Sequence, residues 1–451
     1  MHAITASAAW LPEGWACNVR IELDDAGMIA GVTTDAAVDA TERIEGAVIP
    51  GLCNLHSHAF QRAMAGLAER SDANAESFWS WRDVMYRVVA RLSPETLESI
   101  AAQLYVDLLK GGFTSVCEFH YVHRDVNGAA YANLAETSER VIAAAAQANI
   151  GLTLLPVVYM ASGFGGQPPH AGQRRFVADP DMALRIVESL RPREHSGLRL
   201  GIAPHSLRAV PPDALRALVS GRAGNPIHLH IAEQTREVED CLAWSGRRPV
   251  EWLLEREAVG PDWCLVHATH ATRDEIAALA RTGAVAGLCP TTEANLGDGF
   301  FALDDYLRSA GRYGIGTDSH VSASAAEELR WLEYGQRLTL RRRNVALDTS
   351  GGSVGETLYR AALAGGAQAA GRSIAGIEVG QRADFVVLDT GHPAFLGRES
   401  DAWLDAFVFC NYGSPVRDVM VGGEWVVRDG HHPREQDIAA RFVAALRRLA
   451  S

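Results

Sequence analysis

Eight short apolar runs, most of them carrying polar residues toward their ends, punctuate the middle of the chain: 54–60, 113–121, 151–160, 198–206, 226–233, 264–270, 283–290 and 314–320. Between them lie stretches with apolar residues at helical spacing, such as 93–110, 138–149, 181–190 and 272–280. Near-continuous apolar strands alternating with helices are the pattern of a parallel sheet covered on both faces. Eight such units predict an α/β fold, a closed (β/α)8 TIM barrel, over residues 50–375. An open doubly wound sheet is the alternative, and the chain offers no Gly-rich nucleotide loop to support it.

The two ends of the chain carry a different pattern. Residues 17–23 alternate, turn at Asp25-Ala26-Gly27, and resume at 28–32. Near the other end, 383–389 has strand character, and 416–421 and 424–427 flank a Gly422-Gly423 hairpin turn. Neither set alone encloses a good core. Together, 1–49 and 376–451 predict one small β-sandwich domain built from both chain ends, with a helix over 435–449 packed outside it.

The barrel expectation directs attention to the C-terminal ends of its strands, where such folds carry their chemistry. The first run ends in His56 and His58, which point to the same side of a strand and can reach one metal ion together. The fourth ends in His205, followed by Arg208; the fifth carries His228, His230 and, three further on, Glu233. The sixth carries His267 and His270, and the eighth ends in Asp318, with His320 beyond it. His56, His58, His230 and Asp318 are the groups a four-ligand zinc site requires. A buried aspartate at the end of an apolar strand is costly unless paired or metal-bound, so Asp318 is the most informative acid. The plainer readings are that His228 lies one layer deeper as a structural group, that His270 packs in a loop, that His320 backs the ligands, and that His2, His431 and His432 are solvated.

Composition narrows the partners. The 451-residue chain has a formal net charge of -13, which argues against nucleic acid or an anionic membrane as partner. No apolar run approaches the roughly 18 residues that span a bilayer, and the start lacks a basic-then-apolar leader. Seven scattered cysteines without a CxxC pair suit a reducing cytoplasm. An anionic substrate would need specific arginines to hold it against the global field, because the planar guanidinium fork matches a carboxylate at two points. Arg208 and Arg82 are the candidates, with Tyr121 and Gln61 near the same strand ends; a surface salt bridge is the competing reading for Arg82. The aromatic stretch Phe78-Trp79-Ser80-Trp81 before Arg82 is expected as a loop serving as a lid or an interface.

The His-x-His, the histidines ending the fifth and sixth runs and the aspartate ending the eighth resemble the amidohydrolase superfamily over nearly the whole chain. His230-Ile231-Ala232-Glu233 resembles its deaminase branch, in which the glutamate shuttles protons. The resemblance implies catalysis by Glu233, His267 and Asp318, with Asp318 and His267 holding and helping to deprotonate the attacking water. The stretches 56–62 and 203–208 are similar to those of members that release ammonia from a linear amidine on a small dianion. In these, Arg208 and Tyr121 hold one carboxylate, Arg82 holds the other, and His205 and Gln61 orient the reacting end. The alternatives are a guanine or adenosine-thioether nucleoside deaminase on the same scaffold, or a barrel without catalysis. Two-metal members bridge their ions with a lysine or glutamate from strand four. Residues 198–206 contain neither, and Lys110, the chain's one lysine, precedes strand two, so one divalent metal per chain, zinc, is expected. The resemblance also implies a homodimer.

Overall fold

The computed structural model describes residues 2–37, 42–69, 77–347, 351–410 and 413–450. All eight apolar runs become parallel strands, each shorter than its run. They are Leu52–Ser57, Phe113–His120, Gly151–Val158, Leu198–Leu200 continued by Ala203–Pro204, Ile227–Ile231, Trp263–His267, Val285–Leu288 and Arg312–Ile315. The first four pair in order, as do the last four. Single parallel bridges close the two seams. Ile202 meets Ile227 and Ser206 meets His230 between strands four and five; Ser57 meets Asp318 between strands eight and one. Two of these three bridges involve His230 or Asp318 directly.

The runs outlast the strands because their tails turn out of the sheet. After Ser57 the chain enters a short 3-10 helix, Ala59–Met64. His267, Ala268, Asp318 and His320 all have left-handed backbone, with φ of 69°, 50°, 46° and 62°. Such angles are unfavourable for residues with a Cβ and collect at functional sites. Here they swing the side chains across the barrel mouth. Strand eight approaches strand one so closely that a Cβ on Gly316 would lie 2.8 Å from the backbone nitrogen of His56.

Both chain ends join one seven-stranded sheet. Its order is Glu424–Val427, Val416–Val421, Phe385–Leu388, Glu42–Pro50, His2–Leu11, Gly14–Leu23 and Ile29–Thr33. The halves meet where Glu42–Pro50 runs antiparallel to Phe385–Leu388. A core separate from the barrel's, including Ile4, Val19, Ile21, Ile44, Phe385 and Met420, comes almost wholly from these strands. The two chain ends thus share one continuous sheet and one core. Gly422 and Gly423, at φ of 60° and 82°, make the hairpin turn. The terminal helix, Glu435–Ala450, packs on the helix Pro94–Lys110.

Two expectations need correction. His432 is buried, not solvated, and its Nε2 lies 3.1 Å from the Ala148 carbonyl, because the turn before the terminal helix docks on the barrel. The aromatic stretch is not a loop: it opens the helix Ser77–Arg91. The side chains of Phe78 and Trp79 lie outside the described residues. Among the described residues, no helix is long and apolar enough to cross a membrane.

Candidate active site

At the mouth of the barrel, strands one, five, six and eight bring their polar ends to one point. His56, His58 and His230 offer nitrogen atoms within 4.8 Å of one another, and His56, His267 and Asp318 form an overlapping group within the same limit. The Nε2 atoms of His230 and His56 are 2.9 Å apart. Asp318 Oδ1 lies 3.5 Å from His56 Nε2 and 3.3 Å from His58 Nε2. The opposite ring nitrogens are tethered for two of the three: His58 Nδ1 sits 3.0 Å from the Phe119 carbonyl, and His230 Nδ1 sits 3.0 Å from the His205 carbonyl. A ligand histidine held in this way has its tautomer and ring plane fixed, with Nε2 left for a cation.

The charge states agree with that geometry. Burial pushes His56 down to about 3, and it lowers His58 and His230 too, so all three are neutral, as metal ligands must be. Burial opposes the charge on Asp318, but the His56 hydrogen bond and the positive imidazole of His267 outweigh it and hold the carboxyl below its usual range. For His267 burial is again opposed: Glu233, Glu293 and Asp318 push the imidazole up to about 10. Its Nε2 is 3.9 Å from both Glu233 Oε1 and Asp318 Oδ2, and its Nδ1 is 3.3 Å from Glu293 Oε1. Burial raises Glu233, with Asp318 and Glu293 reinforcing it, which favours the proton-carrying form.

A cavity of about 70 Å³ opens over this cluster, lined by His58, Tyr121, His205, His230, Glu233, His267 and Asp318 together with Gln61, Trp81, Arg82, Tyr86, Tyr159 and Arg208. A wider groove of about 610 Å³ adjoins it and shares Arg82 and Arg208. Every residue singled out from the sequence as a substrate contact therefore faces the same space. Arg82 reaches it from a helix, where its Nη2 donates to the Tyr86 hydroxyl at 2.6 Å. Gln61 donates through Nε2 to the Tyr121 hydroxyl at 3.0 Å, while its buried Oε1 has no partner. His205 Nδ1 is 3.1 Å from the Ser206 hydroxyl.

The profile of the amidohydrolase family matches residues 47–426, and that of the N-terminal domain of formimidoylglutamate deiminase HutF matches residues 1–46. The chain belongs to the amidohydrolase family. It is 56% identical to formimidoylglutamate deiminase of Pseudomonas aeruginosa, with both chains covered completely. It is 28% identical to the 5-methylthioadenosine/S-adenosylhomocysteine deaminase of Natronomonas pharaonis, over 90% of this chain and 87% of the relative. A crystal structure of an amidohydrolase from Brucella melitensis superposes with a TM-score of 0.95 at 47% identity, covering all of both chains.

Buried acids that the strand ends did not reveal brace the cluster. Glu118, inside strand two, takes the Ser57 hydroxyl at 2.6 Å and the Ala59 N–H at 2.7 Å, so it grips the chain on both sides of His58. Burial pushes Glu118 up to about 7 despite these donors. Glu237 accepts the backbone N–H of Ala232 and of Glu233 at 3.0 and 3.1 Å, fixing the segment that aims Glu233. Glu118 was visible as a lone acid in an apolar run. Glu237 and Glu293 carried no such mark, since both look like ordinary helix acids. His228 Nε2 is 2.9 Å from the Ala369 carbonyl, and His320 is 3.2 Å from Ser57 Oγ and 2.8 Å from Thr317 Oγ1. Lys110 lies away from the site, paired with Glu435 at 2.9 Å.

Proposed function

We propose that the protein hydrolyses N-formimidoyl-L-glutamate to N-formyl-L-glutamate and ammonia, using one zinc ion per chain held by His56, His58, His230 and Asp318. One observation carries the reading: a single cavity has the neutral-imidazole and carboxylate cluster on its floor and two arginines on its wall. Nitrogen ligands with one carboxylate suit zinc. A divalent ion in that place supplies Lewis acidity, bringing the pKa of a coordinated water from about 15.7 toward about 7.

The side chains divide the remaining work. Arg82 and Arg208 take the two carboxylates of the dianion, and Gln61 Oε1 accepts an N–H of the formimidoyl group. Asp318 accepts a proton from the attacking water, and His267, whose imidazole carries a proton, holds that water in place. Glu233 delivers a proton to the departing nitrogen. A carbon–oxygen bond forms, a carbon–nitrogen bond breaks, and both protons of the water end on ammonia. Tyr121 joins Arg208 on its carboxylate, and His205 orients the reacting end together with Gln61. The same reading takes the protein as a cytoplasmic homodimer with no nucleic-acid or membrane partner.

The alternative is a nucleoside deaminase, but a nucleoside carries no carboxylate for Arg82 and Arg208, which line the cavity, to hold. Ammonia release from formimidoylglutamate, guanine and a thioether adenosine, measured side by side, separates the two readings. Turnover of a nucleobase at a kcat/KM above that of formimidoylglutamate would overturn the assignment.

A further inference from the structure

We propose that two copies of this chain pair through the outer face of the helix Ala325–Leu340, running antiparallel about Tyr334. This rests on the homodimer reading above and is independent of the substrate. The helix follows strand eight and buries Ala325, Ala326, Leu329 and Leu332 against the barrel. A helix covering a barrel should turn polar residues outward. Instead Trp331, Tyr334 and Leu338 are 36%, 38% and 71% exposed. Single exposed apolar side chains are ordinary, but three in line on one helix face form a patch that calls for a partner.

The flanks say which partner. Glu327, Trp331, Tyr334, Leu338 and Arg341 follow one another at spacings of four, three, four and three, the seam along which two helices pack. The seam has an acid at one end, an apolar centre and a cation at the other. Antiparallel pairing sets Glu327 against the partner's Arg341 at both ends, Trp331 against the partner's Leu338, and Tyr334 against its own copy. Parallel pairing would set like charges together at both ends. A face that is its own complement after reversal is what a twofold, isologous contact requires. Arg337 firms one edge: it pairs with Glu333 at 2.7 Å and lies over the rings of Tyr334 and Phe409 at 5.4 and 5.1 Å.

The test is the mass of the full-length protein in solution by sedimentation and light scattering, with ammonia release as a check on folding. The wild type should be a dimer. Leu338→Glu places a charge in the apolar centre and should raise the dimer dissociation constant about a hundredfold or more while leaving turnover within about twofold. Glu327→Arg should weaken pairing, and Glu327→Arg with Arg341→Glu should restore it. A monomeric wild type would overturn both the homodimer and this face. A wild-type dimer that survives Leu338→Glu, or a charge swap that fails to restore pairing, would overturn this face alone.

Discussion

Arg208 shows how much a single side chain decides. It lines both the cavity and the groove, makes no hydrogen bond or ion pair among the described residues, and feels Tyr159, Glu237 and Glu233 electrostatically. A guanidinium held in that state is ready for an arriving carboxylate. Arg208→Ala should cost about 2–5 kcal/mol, several hundredfold in kcat/KM on formimidoylglutamate; a loss under about threefold would remove it from the substrate site. Glu233→Gln should lower kcat roughly 10²- to 10⁴-fold with little change in KM, and an unchanged kcat would end its role as proton donor. His123 tests burial without chemistry. It is fully buried, 3.1 Å from the Val157 carbonyl, and burial pushes it down from 6.5 to about 4. The folded state therefore prefers the neutral ring. Its stabilising contribution is present above the ordinary histidine range and is lost as pH falls toward 4. Denaturant unfolding should show wild type losing up to about 3 kcal/mol more than His123→Gln between about pH 7 and pH 4. Equal losses would show that His123 does not titrate in this way.

Among the elements, the close approach of strands eight and one does most to assemble the cluster. The Asp318 N–H donates to the His56 carbonyl at 3.0 Å, and the His58 N–H donates to the Asp318 carbonyl at 3.2 Å. Gly316 permits this contact. Gly316→Ala should wedge the strands apart, cost about 1–3 kcal/mol of stability and lower metal content. A variant with full metal and unchanged unfolding would show that the seam tolerates the methyl. The helix Ser77–Arg91 shows where element-level reading slipped. Its aromatic start has loop-like serines, but Trp81, Val84, Met85 and Val88 fall at helical spacing, and the Arg82–Tyr86 pair is an i, i+4 contact.

For the whole molecule, the ligand inventory bears on how many ions the proposed site would take. Strand four contributes no lysine or glutamate, and Lys110 is paired with Glu435. One divalent ion per chain is expected by elemental analysis, and two would contradict the absence of a bridging ligand. Because the cluster joins strands one, five and eight, the ion should bind the folded state selectively. Chelation should then lower the unfolding midpoint, by an amount equal to about 4 kcal/mol if the ion stands a thousandfold above its dissociation constant. No change in the midpoint would mean that the cluster does not bind the ion tightly.

The chain's own pattern determined the count and order of barrel strands, the pairing of the two ends and the residue types at each strand terminus. Those properties follow from neighbours a few positions away: apolar spacing, turn glycines, and an acid set where burial would otherwise penalise it. Tertiary structure decided the rest, because distance across a closed cylinder has no local signature. It selected His56, His58 and His230 from sixteen histidines, turned Glu118 and Glu237 from ordinary acids into clamps beside His58 and Glu233, and brought a helix-borne Arg82 over the same mouth as Arg208. Only barrel closure places positions 56, 230 and 318 within reach of one ion.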